Sequence, residues 1–549
     1  MSWDATIAVG KVNEPQCIER GASHERGSDL RPKREIRSSG ADGFDSADHT
    51  HVDAVVVGAG MSGIRSAIAL KRQGLTRIAV LEKAEEVGGV WNHNRYPGVG
   101  CDVPSPIYAY GFKPHRWRRL FAEGDEIREY FKETADETGV TRHVRLGTEL
   151  LDASWDDSSG VWICTTNKGT FRSPILVLAT GVLHSKAVPT VPGASTFTGQ
   201  TFHSSEWPSD FDPTGKRIAV VGTGASAIQF VPEIQPLAER LVVLQRTAPW
   251  IVPKPDVIHP QSTSRRDILR QRLLRYAIWA VVEFVLLTVK HPRFGASLEW
   301  IARKHLHDSV RDPELREILT PDYMIGCKRM LLSSAWYPAI CSSNVDYVPS
   351  ALREIKPDTV VAENGEEYAV DTIIWGTGFN FGQQVLDRVR GRDGRTLTER
   401  FGESPRTYRA TTVVDCPNLF IIAGPHAGTA SITTATEAQV RYLESAITIM
   451  RRRNLEWVEP RPAVEKAWME RKESILASWV WNTGGCTSYY LNSKGENVSA
   501  WPGHMLGMVR SLRTFDIENY IAKPSRDLRC AENTVAVTKF EPLTLSERP

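Results

Sequence analysis

The sequence lacks an excess of charge of either sign. Its 549 residues include 67 Lys and Arg against 65 Asp and Glu, a formal net charge of +2. Binding to nucleic acid phosphates needs a concentrated excess of Lys and Arg, so no nucleic acid partner is expected. With 41% apolar and 24% charged residues, the composition is that of an ordinary globular protein.

The cysteines lack any regular spacing. The eight are Cys17, Cys101, Cys164, Cys327, Cys341, Cys416, Cys486 and Cys530. No C-x-x-C pair and no metal-ligand spacing occurs among them. We therefore expect neither a disulfide framework nor a zinc or other metal site, and a reducing cytoplasm fits as the location.

The sequence also lacks an apolar run of about 20 residues, the length that crosses a bilayer. The longest run covers residues 277–289 and is interrupted by Glu283. No transmembrane segment is therefore expected, and the N-terminus has no pattern typical of a signal peptide. We interpret the run as a buried helix. The alternative is a surface helix that touches a membrane or guides an apolar substrate.

Two stretches do have the strand, glycine turn and helix of a βαβ unit. In the first, the apolar strand Ala54–Val57 precedes Gly58, a helix near 61–72 and a second strand, 77–82. The second stretch has a strand at 216–221, a turn at 222–227, a helix at 226–234 and a strand at 240–246. Because their strands are continuously apolar, both units predict parallel sheets that are buried on both faces.

The first glycine turn has the pattern G-x-G-x-x-G. Gly58 permits the tight turn, Gly60 lets the backbone approach a pyrophosphate, and Gly63 lets the helix pack on the strand. The helix N-terminus then offers free N–H groups to phosphate. Glu82 closes the second strand, where a carboxylate accepts hydrogen bonds from ribose hydroxyls and repels a 2′-phosphate. This turn therefore predicts a site for FAD or NAD.

The second turn differs at its third position and at the end of the next strand. It contains Gly222 and Gly224, but Ala227 replaces the third glycine. Arg246 and Thr247 stand where an acid would repel phosphate. A guanidinium and a hydroxyl bind a 2′-phosphate, so this turn predicts an NADPH site.

These patterns predict an α/β fold with two Rossmann-like domains, the NADPH domain inserted into the FAD domain. Two apolar segments that contain Thr-Gly, 175–181 and 373–378, bracket the second unit. The expected organisation has five parts, which are a disordered tail (1–50), the first part of the FAD domain (51–185), the NADPH domain (186–370, with a helical insertion at about 258–325), the second part of the FAD domain (371–515) and a C-terminal tail (516–549).

Three sets of residues at fixed spacing resemble the class B flavin monooxygenases, and among them the Baeyer–Villiger monooxygenases. The pattern F-x-G-x-x-x-H-x-x-x-W-(P/D) is met by Phe197, Gly199, His203, Trp207 and Pro208. A second pattern is met by Gly88, Gly89, Trp91, Tyr96, Pro97, Gly98 and Asp102. The third element is Lys328-Arg329 before Trp336-Tyr337. The resemblance covers about residues 52–510.

The resemblance implies a reaction that uses NADPH and dioxygen. FAD reduced by NADPH forms a flavin peroxide, and one oxygen atom is inserted next to a ketone carbonyl to give an ester or lactone. The alternative is an N- or S-oxygenating flavin monooxygenase, which usually closes the first pattern with Tyr or Phe instead of Trp207-Pro208. A disulfide reductase is disfavoured because Cys101 has no nearby cysteine.

The resemblance also implies the roles of individual residues. Arg329 is the cation that keeps the peroxide deprotonated, and Asp102 orients it. Lys328 joins Arg246 and Thr247 at the 2′-phosphate. The side of the flavin is expected to be lined by Gly89, Trp91, Asp102 and Tyr108.

Other features are predicted with less detail. His203 is interpreted as a structural link between the two domains. An aromatic loop near residues 481–490 is expected to fold over the nicotinamide, with Trp481 and Trp501 both open as its tryptophan. The Trp-rich helical insertion favours a lipophilic ketone substrate. The particular ketone and the oligomeric state stay open.

Overall fold

Short buried strands alternate with longer helices, as the sequence pattern predicts. The computed structural model describes residues 50–258, 265–290, 292–380 and 384–525. The strands, in chain order, are β1 (Thr50–His51), β2 (Ala54–Val57), β3 (Ile78–Leu81), β4 (Val144–Arg145), β5 (Leu150–Asp156), β6 (Val161–Thr166), β7 (Gly169–Ser173), β8 (Leu176–Leu178), β9 (Gln200–His203), β10 (Arg217–Val221), β11 (Arg240–Leu244), β12 (Ile251–Val252), β13 (Leu331–Leu332), β14 (Val345–Val348), β15 (Leu352–Lys356), β16 (Thr359–Ala362), β17 (Glu367–Ala369), β18 (Thr372–Trp375), β19 (Val389–Arg390), β20 (Leu419–Ile421), β21 (Leu455–Pro460) and β22 (Tyr520–Pro524).

The helices vary from one turn to seven turns in length. In chain order they are α1 (Met61–Arg72), α2 (Val90–His93), α3 (Gly124–Glu137), α4 (Ala227–Ile234), α5 (Arg265–Lys290), α6 (Pro292–Ser309), α7 (Pro313–Ile318), α8 (Trp336–Ile340), α9 (Leu397–Phe401), α10 (Ile432–Arg452), α11 (Pro462–Leu476), α12 (Val480–Thr483) and α13 (Met505–Ser511).

The first parallel sheet has the strand order β20-β8-β2-β3-β4. Strands β2, β3, β8 and β20 are buried along their whole length, which is why their sequences are continuously apolar. Val57, the last residue of β2, is in register with Leu81 and Leu178. The turn that begins at Gly58 therefore lies at the carboxyl edge of this sheet, where open α/β sheets bind their ligands.

The second parallel sheet has the order β14-β11-β10-β18-β9. Val221 ends β10 in register with Leu244 and Trp375, so the turn at Gly222 also lies at a carboxyl edge. The presence of β18 here corrects the predicted boundary at residue 371, because Thr372–Trp375 pairs with β10 and not with the first sheet. Both sheets contain short apolar strands that are followed by glycine. The sequence of such a strand therefore does not show which of the two sheets it joins.

A third sheet has the strand order β1-β7-β6-β5-β19. Strands β5, β6 and β7 are antiparallel neighbours, and β1 and β19 pair in parallel at its two edges. Strands β15, β16 and β17 form a further antiparallel sheet.

The predicted C-terminal tail begins too early at residue 516. Tyr520–Pro524 forms β22, which pairs antiparallel with β21. Tyr520 is buried, and its hydroxyl lies 2.9 Å from the hydroxyl of Thr412, which ties this segment to the fold. The predicted disordered tail, apart from Thr50, and the C-terminal residues 526–549 lie outside the described residues.

The predicted helical insertion is formed by α5, α6 and α7. Within it, the apolar run at 277–289 is not the buried helix we expected. Its described part has an outer face with Val281 61% exposed and Phe284 63% exposed. Among the described residues, no helix is long and apolar enough to cross a membrane.

Candidate active site

The first and the last glycine of the first turn, Gly58 and Gly63, lie where no larger residue fits. Gly58 has a φ of +101°, and a Cβ built on it would lie 2.7 Å from the carbonyl oxygen of Ala179 at the end of β8. A Cβ on Gly63 would overlap the carbonyl oxygen of Gly58 itself. The turn and the start of α1 are therefore in direct backbone contact, as the predicted dinucleotide site requires.

Glu82 lies directly after β3 and is buried at 6% exposure. One of its carboxylate oxygens accepts a hydrogen bond from the N–H of Ala59 at 2.8 Å, and the other accepts from the N–H of Ala84 at 2.9 Å. The carboxylate thus holds the glycine turn, and each oxygen keeps a further lone pair for a ribose hydroxyl.

The space beside this turn fits a bound cofactor. A Cβ on Gly89 would lie 2.9 Å from the Cα of Gly60, so the two backbones approach each other closely. Trp91 donates a hydrogen bond from Nε1 to the hydroxyl of Tyr108 at 3.0 Å. The hydroxyl of Thr180, two residues after β8, is buried and has no hydrogen-bond partner among the described residues. An unsatisfied buried hydroxyl at this edge is a group that a polar cofactor would satisfy.

Asp102 and Arg329 form a bidentate ion pair although 227 residues separate them. Nε of Arg329 donates to Oδ2 of Asp102 at 2.5 Å, and Nη2 donates to Oδ1 at 2.7 Å. The negative charge of Asp102 raises the pKa of Arg329 well above its usual value, against the opposing effect of burial. The arginine side chain is nevertheless 41% exposed, so a positive charge faces an open space.

The segment that carries Arg329 is joined covalently to the aromatic loop. Cys327 and Cys486 form a disulfide with a Cα–Cα distance of 6.1 Å, which the expectation against a disulfide framework did not foresee. The two cysteines are 159 residues apart, and no local spacing could indicate their pairing. The neighbouring Tyr489 and Tyr490 interact electrostatically with Arg329.

The two candidate tryptophans of this loop are both buried, Trp481 at 8% and Trp501 at 5% exposure. Trp481 packs against the rings of Trp479 and Tyr490. Trp501 packs against Trp468 and belongs to the core around the first sheet. Among the described residues, the ring contacts of both tryptophans are with other aromatic side chains, and these contacts do not favour one tryptophan over the other.

The second glycine turn repeats the backbone of the first. Gly222 has a φ of +102°, and a Cβ on it would lie 2.7 Å from the carbonyl oxygen of Gly376 after β18. A Cβ on Gly224 would meet no atom closer than 3.9 Å. Ala227 is fully buried at the start of α4 and fits because the residue that faces it is Gly376, whose own Cβ would lie 3.4 Å from the Ala227 side chain.

The predicted phosphate-binding residues lie at the end of β11. Arg246 is exposed and Thr247 is half-buried. Burial and the nearby charge of Arg246 lower the pKa of Lys328, whose ammonium lies 4.9 Å from the centre of the Tyr323 ring. Arg246 and Lys328 are close enough to interact electrostatically, and Thr247 adds a hydroxyl next to Arg246. Two cations and a hydroxyl are the groups that bind a 2′-phosphate.

His203 connects β9 to the segment after β18. Its Nδ1 accepts from the N–H of Ser205 at 3.2 Å, so Nε2 carries the proton and donates to the carbonyl oxygen of Gly378 at 2.9 Å. Burial lowers the pKa of this histidine, which keeps the ring neutral. With both nitrogens engaged, the structural interpretation of His203 is favoured over a role as a base.

The rest of the first family pattern packs around the second sheet. A Cβ on Gly199 would overlap the carbonyl oxygen of Asp371, so no side chain fits there. Trp207 makes ring contacts with Phe202 at 5.2 Å and with Phe230 at 5.3 Å. These contacts pack Trp207 against the core of the second sheet.

The sequence reasoning missed Gln229, which joins the two nucleotide units. Its Oε1 accepts from the hydroxyl of Tyr96 at 2.9 Å, and its Nε2 donates to the carbonyl oxygen of Gly100 at 3.0 Å. A Cβ on Gly98 would lie 2.7 Å from the carbonyl oxygen of the same residue. Gln229 lies on α4 without any motif of its own, and only the close approach of Gly98 could have indicated a partner.

Comparisons with known proteins agree with this geometry. The family described as "FMO-like: Flavin-binding monooxygenase-like" matches residues 52–390. A Baeyer–Villiger monooxygenase of Streptomyces coelicolor is 40% identical over 485 residues, which cover 86% of this chain and 93% of that protein. A second Baeyer–Villiger monooxygenase, from Pseudomonas aeruginosa, is 37% identical and covers 86% of this chain and 91% of its own length.

Two solved structures have the same fold over most of the chain. The closed crystal structure of cyclohexanone monooxygenase superposes with a TM-score of 0.79 and 25% identity, covering 87% of this chain and 100% of that one. Oxidized steroid monooxygenase bound to NADP gives a TM-score of 0.78 and 28% identity, with the same two coverages.

The two dinucleotide folds and the family match define a flavoprotein monooxygenase. The chain belongs to the flavin-binding monooxygenase-like family, in its Baeyer–Villiger branch. Its cofactors are FAD and NADPH. The predicted fold class and reaction are thereby confirmed, and the N- or S-oxygenating alternative is set aside.

Proposed function

We propose that this chain inserts one atom of dioxygen next to the carbonyl of a lipophilic ketone, and that Arg329, held by Asp102, is the catalytic cation. The observation that carries the proposal is their bidentate ion pair, with the guanidinium still 41% exposed. Bound FAD, reduced by NADPH, supplies the activated oxygen for this chemistry.

Arginine suits the role because it stays protonated at any working pH. The charge of Asp102 raises the pKa of Arg329 further, so the guanidinium cannot act as a proton donor that would quench a nucleophilic oxygen. A fixed cation also stabilises negative charge that develops in the transition state without reorganisation. Asp102 acts through Arg329 as a positioning residue.

The two cofactors are assigned to the two turns. Gly58, Gly60, Gly63, Glu82, Gly89, Trp91 and Tyr108 would hold FAD. NADPH would be held by Gly222, Gly224, Ala227, Arg246, Thr247 and Lys328. The assignment is supported by the buried carboxylate at the first strand end and by the paired cations at the second.

Water exclusion at this site would come from the aromatic loop. Tyr489 and Tyr490 lie near Arg329, and the ring centres of the two tyrosines are 4.4 Å apart. Burial raises the pKa of the Tyr490 hydroxyl well above its usual value, so it stays neutral. Apolar rings beside the cation lower the local dielectric constant, which strengthens its field.

A lipophilic ketone is favoured because the helical insertion presents apolar side chains, among them Tyr276 at 70% and Trp300 at 64% exposure. A cytoplasmic location stays a prediction. The disulfide between Cys327 and Cys486 is a feature that reducing compartments rarely preserve.

The proposal is tested by product analysis with the purified holoenzyme. Cyclic and long-chain ketones and a panel of sulfides are supplied with NADPH under isotopically labelled dioxygen. We expect an ester or lactone that carries one labelled oxygen atom. Sulfoxide from the sulfides, with no ester from any ketone, would contradict the proposal.

A further inference from the structure

The outer face of α5 carries an unbroken apolar stripe. Its members recur at helical spacing and are all exposed, namely Leu273, Tyr276, Ala277, Ala280, Val281 and Phe284. Residues three and four apart share one face of a helix, so these six side chains form a single strip. In an ordinary surface helix the corresponding strip faces the core and the polar side chains face water.

The inner side of α5 carries two polar anchors among half-buried and buried apolar side chains such as Leu286. Arg275 donates to the carbonyl oxygens of Pro106 at 2.8 Å and Ala109 at 2.7 Å, and it pairs with Glu437 at 3.3 Å. Two turns later, Glu283 accepts from the N–H of Met505 at 3.1 Å. The helix cannot roll to bury its apolar stripe without breaking these bonds, so the stripe is held on the outside.

The neighbouring helix α6 adds further exposed, large apolar side chains. It packs against α5 and exposes Phe294 at 54% and Trp300 at 64%. Single exposed apolar side chains are common on protein surfaces. A concentration of them on two neighbouring helices indicates a site that binds another apolar surface.

The pair of helices α5 and α6 is basic, whereas the whole chain has a formal net charge of only +2. Residues 265–309 contain nine Lys or Arg against four Asp or Glu. Arg270 and Arg272 are exposed on α5 just before the apolar stripe. Arg272 also lines a cleft of about 200 Å³ together with Arg275, Tyr276 and His115.

We propose that the outer face of α5 and α6 lies on the surface of a membrane that contains anionic phospholipid. Cations beside an apolar stripe with Phe, Tyr and Trp are the chemistry of helices that lie in the lipid interface. The stripe would enter the boundary of the acyl chains, with Arg270 and Arg272 at the headgroup phosphates. A second copy of this chain fits this face less well than a membrane does. A two-fold contact would place Arg270 and Arg272 of both copies close together, where they repel one another.

The proposal is tested by cosedimentation of the full-length holoenzyme with vesicles. The wild-type protein is expected to pellet with vesicles of phosphatidylcholine and phosphatidylglycerol and to pellet less with phosphatidylcholine alone. Replacing Val281→Gln together with Phe284→Gln should weaken partition about tenfold or more, because two apolar side chains leave the interface while helix propensity is kept. Arg270→Glu with Arg272→Glu should remove the preference for the anionic vesicles.

A matched control replaces two exposed apolar residues elsewhere, Leu151→Gln and Leu237→Gln, which are 47% and 50% exposed. This control should pellet like the wild type. The proposal is overturned if the wild-type protein stays in the supernatant with both vesicle types. It is also overturned if the protein is a dimer that the pair Val281→Gln and Phe284→Gln converts to monomer, since the face is then a subunit interface. Vesicle binding does not depend on turnover, so failure here is distinct from failure of the proposed reaction.

Discussion

The two glycine turns have the same backbone plan and differ in what surrounds it. In each, the first glycine has a φ near +100° and faces a carbonyl oxygen that a Cβ would approach to 2.7 Å. For Gly58 the facing residue is Ala179, and for Gly222 it is Gly376. Each turn lies at the carboxyl edge of its own parallel sheet. The shared plan places two pyrophosphate sites in one chain.

The difference lies at the strand ends. Glu82 is buried and bonded to two backbone amides of its own turn region, whereas Arg246 is exposed beside Lys328. We infer that the first site holds its cofactor permanently and that the second exchanges NADPH and NADP. Four substitutions test this contrast, in order of decreasing expected effect.

Replacing Gly63→Ala should damage the first site most. The new Cβ would overlap the carbonyl oxygen of Gly58, so the backbone must move. We expect a loss of about 3 kcal/mol in the free energy of unfolding, and purification without bound flavin. Thermal unfolding and the flavin absorbance measure both effects. A variant with full flavin content and wild-type stability would show that the turn does not need glycine at this position.

Replacing Arg246→Ala should damage only the second site. Loss of a charge-assisted contact with the 2′-phosphate costs about 2 kcal/mol, or roughly a 30-fold rise in KM for NADPH. The KM for NADH should stay constant, because NADH has no such phosphate. Arg240→Ala, at the opposite end of β11 where Arg240 pairs with Asp346, is the matched control and should leave both constants unchanged. Equal effects of Arg246→Ala on the two cofactors would refute the phosphate assignment.

Replacing Cys327→Ser together with Cys486→Ser should loosen the segment that presents Lys328. We expect a loss of about 2 kcal/mol in stability, because a cross-link between distant residues restricts the unfolded chain. KM for NADPH should rise less than in Arg246→Ala, and flavin content should not change. Cys341→Ser, at a free and exposed cysteine, is the control. Loss of flavin from the double variant would contradict this expectation, because it would mean that the disulfide supports the FAD site and not the NADPH site.

Replacing Ala227→Gly, the reciprocal of the change at Gly63, should have the smallest effect. Gly376 leaves room around Ala227, so nothing is relieved by removing the methyl group. The cost is that of glycine at the start of a helix, at most about 1 kcal/mol. The melting temperature measured by differential scanning calorimetry and the KM for NADPH should both remain close to the wild-type values. A large change in either would mean that the Ala227 side chain positions the turn.

The features that could be predicted from the sequence are those determined by local backbone constraints. The glycine turns, their flanking strands and the residues at the strand ends follow from short patterns, because a φ near +100° or a close backbone approach, as at Gly58 and Gly222, strongly favours glycine. The pairing of Asp102 with Arg329 was reached only through the family resemblance, since no local pattern joins residues so far apart.

The features that could not be predicted depend on the assembled sheets. The sheet that β18 joins, the bond between Cys327 and Cys486, and the bridge from Gln229 to Gly100 each connect distant parts of the chain. The outward face of α5 was only the alternative interpretation of the apolar run, because such a run normally faces the core. In the structure the anchors at Arg275 and Glu283 hold this face outward.

The most direct test of the account is the ratio of ester formed to NADPH consumed in Arg329→Ala. Flavin reduction by NADPH should persist in stopped-flow measurements, because both glycine turns are intact. Ester formation should fall by about 10²–10³-fold, the typical cost of removing one preorganised charge from a reacting centre. Arg329→Lys should recover only part of the loss, since an ammonium cannot make the bidentate pair with Asp102. Ester formation at the wild-type rate in Arg329→Ala would contradict the account.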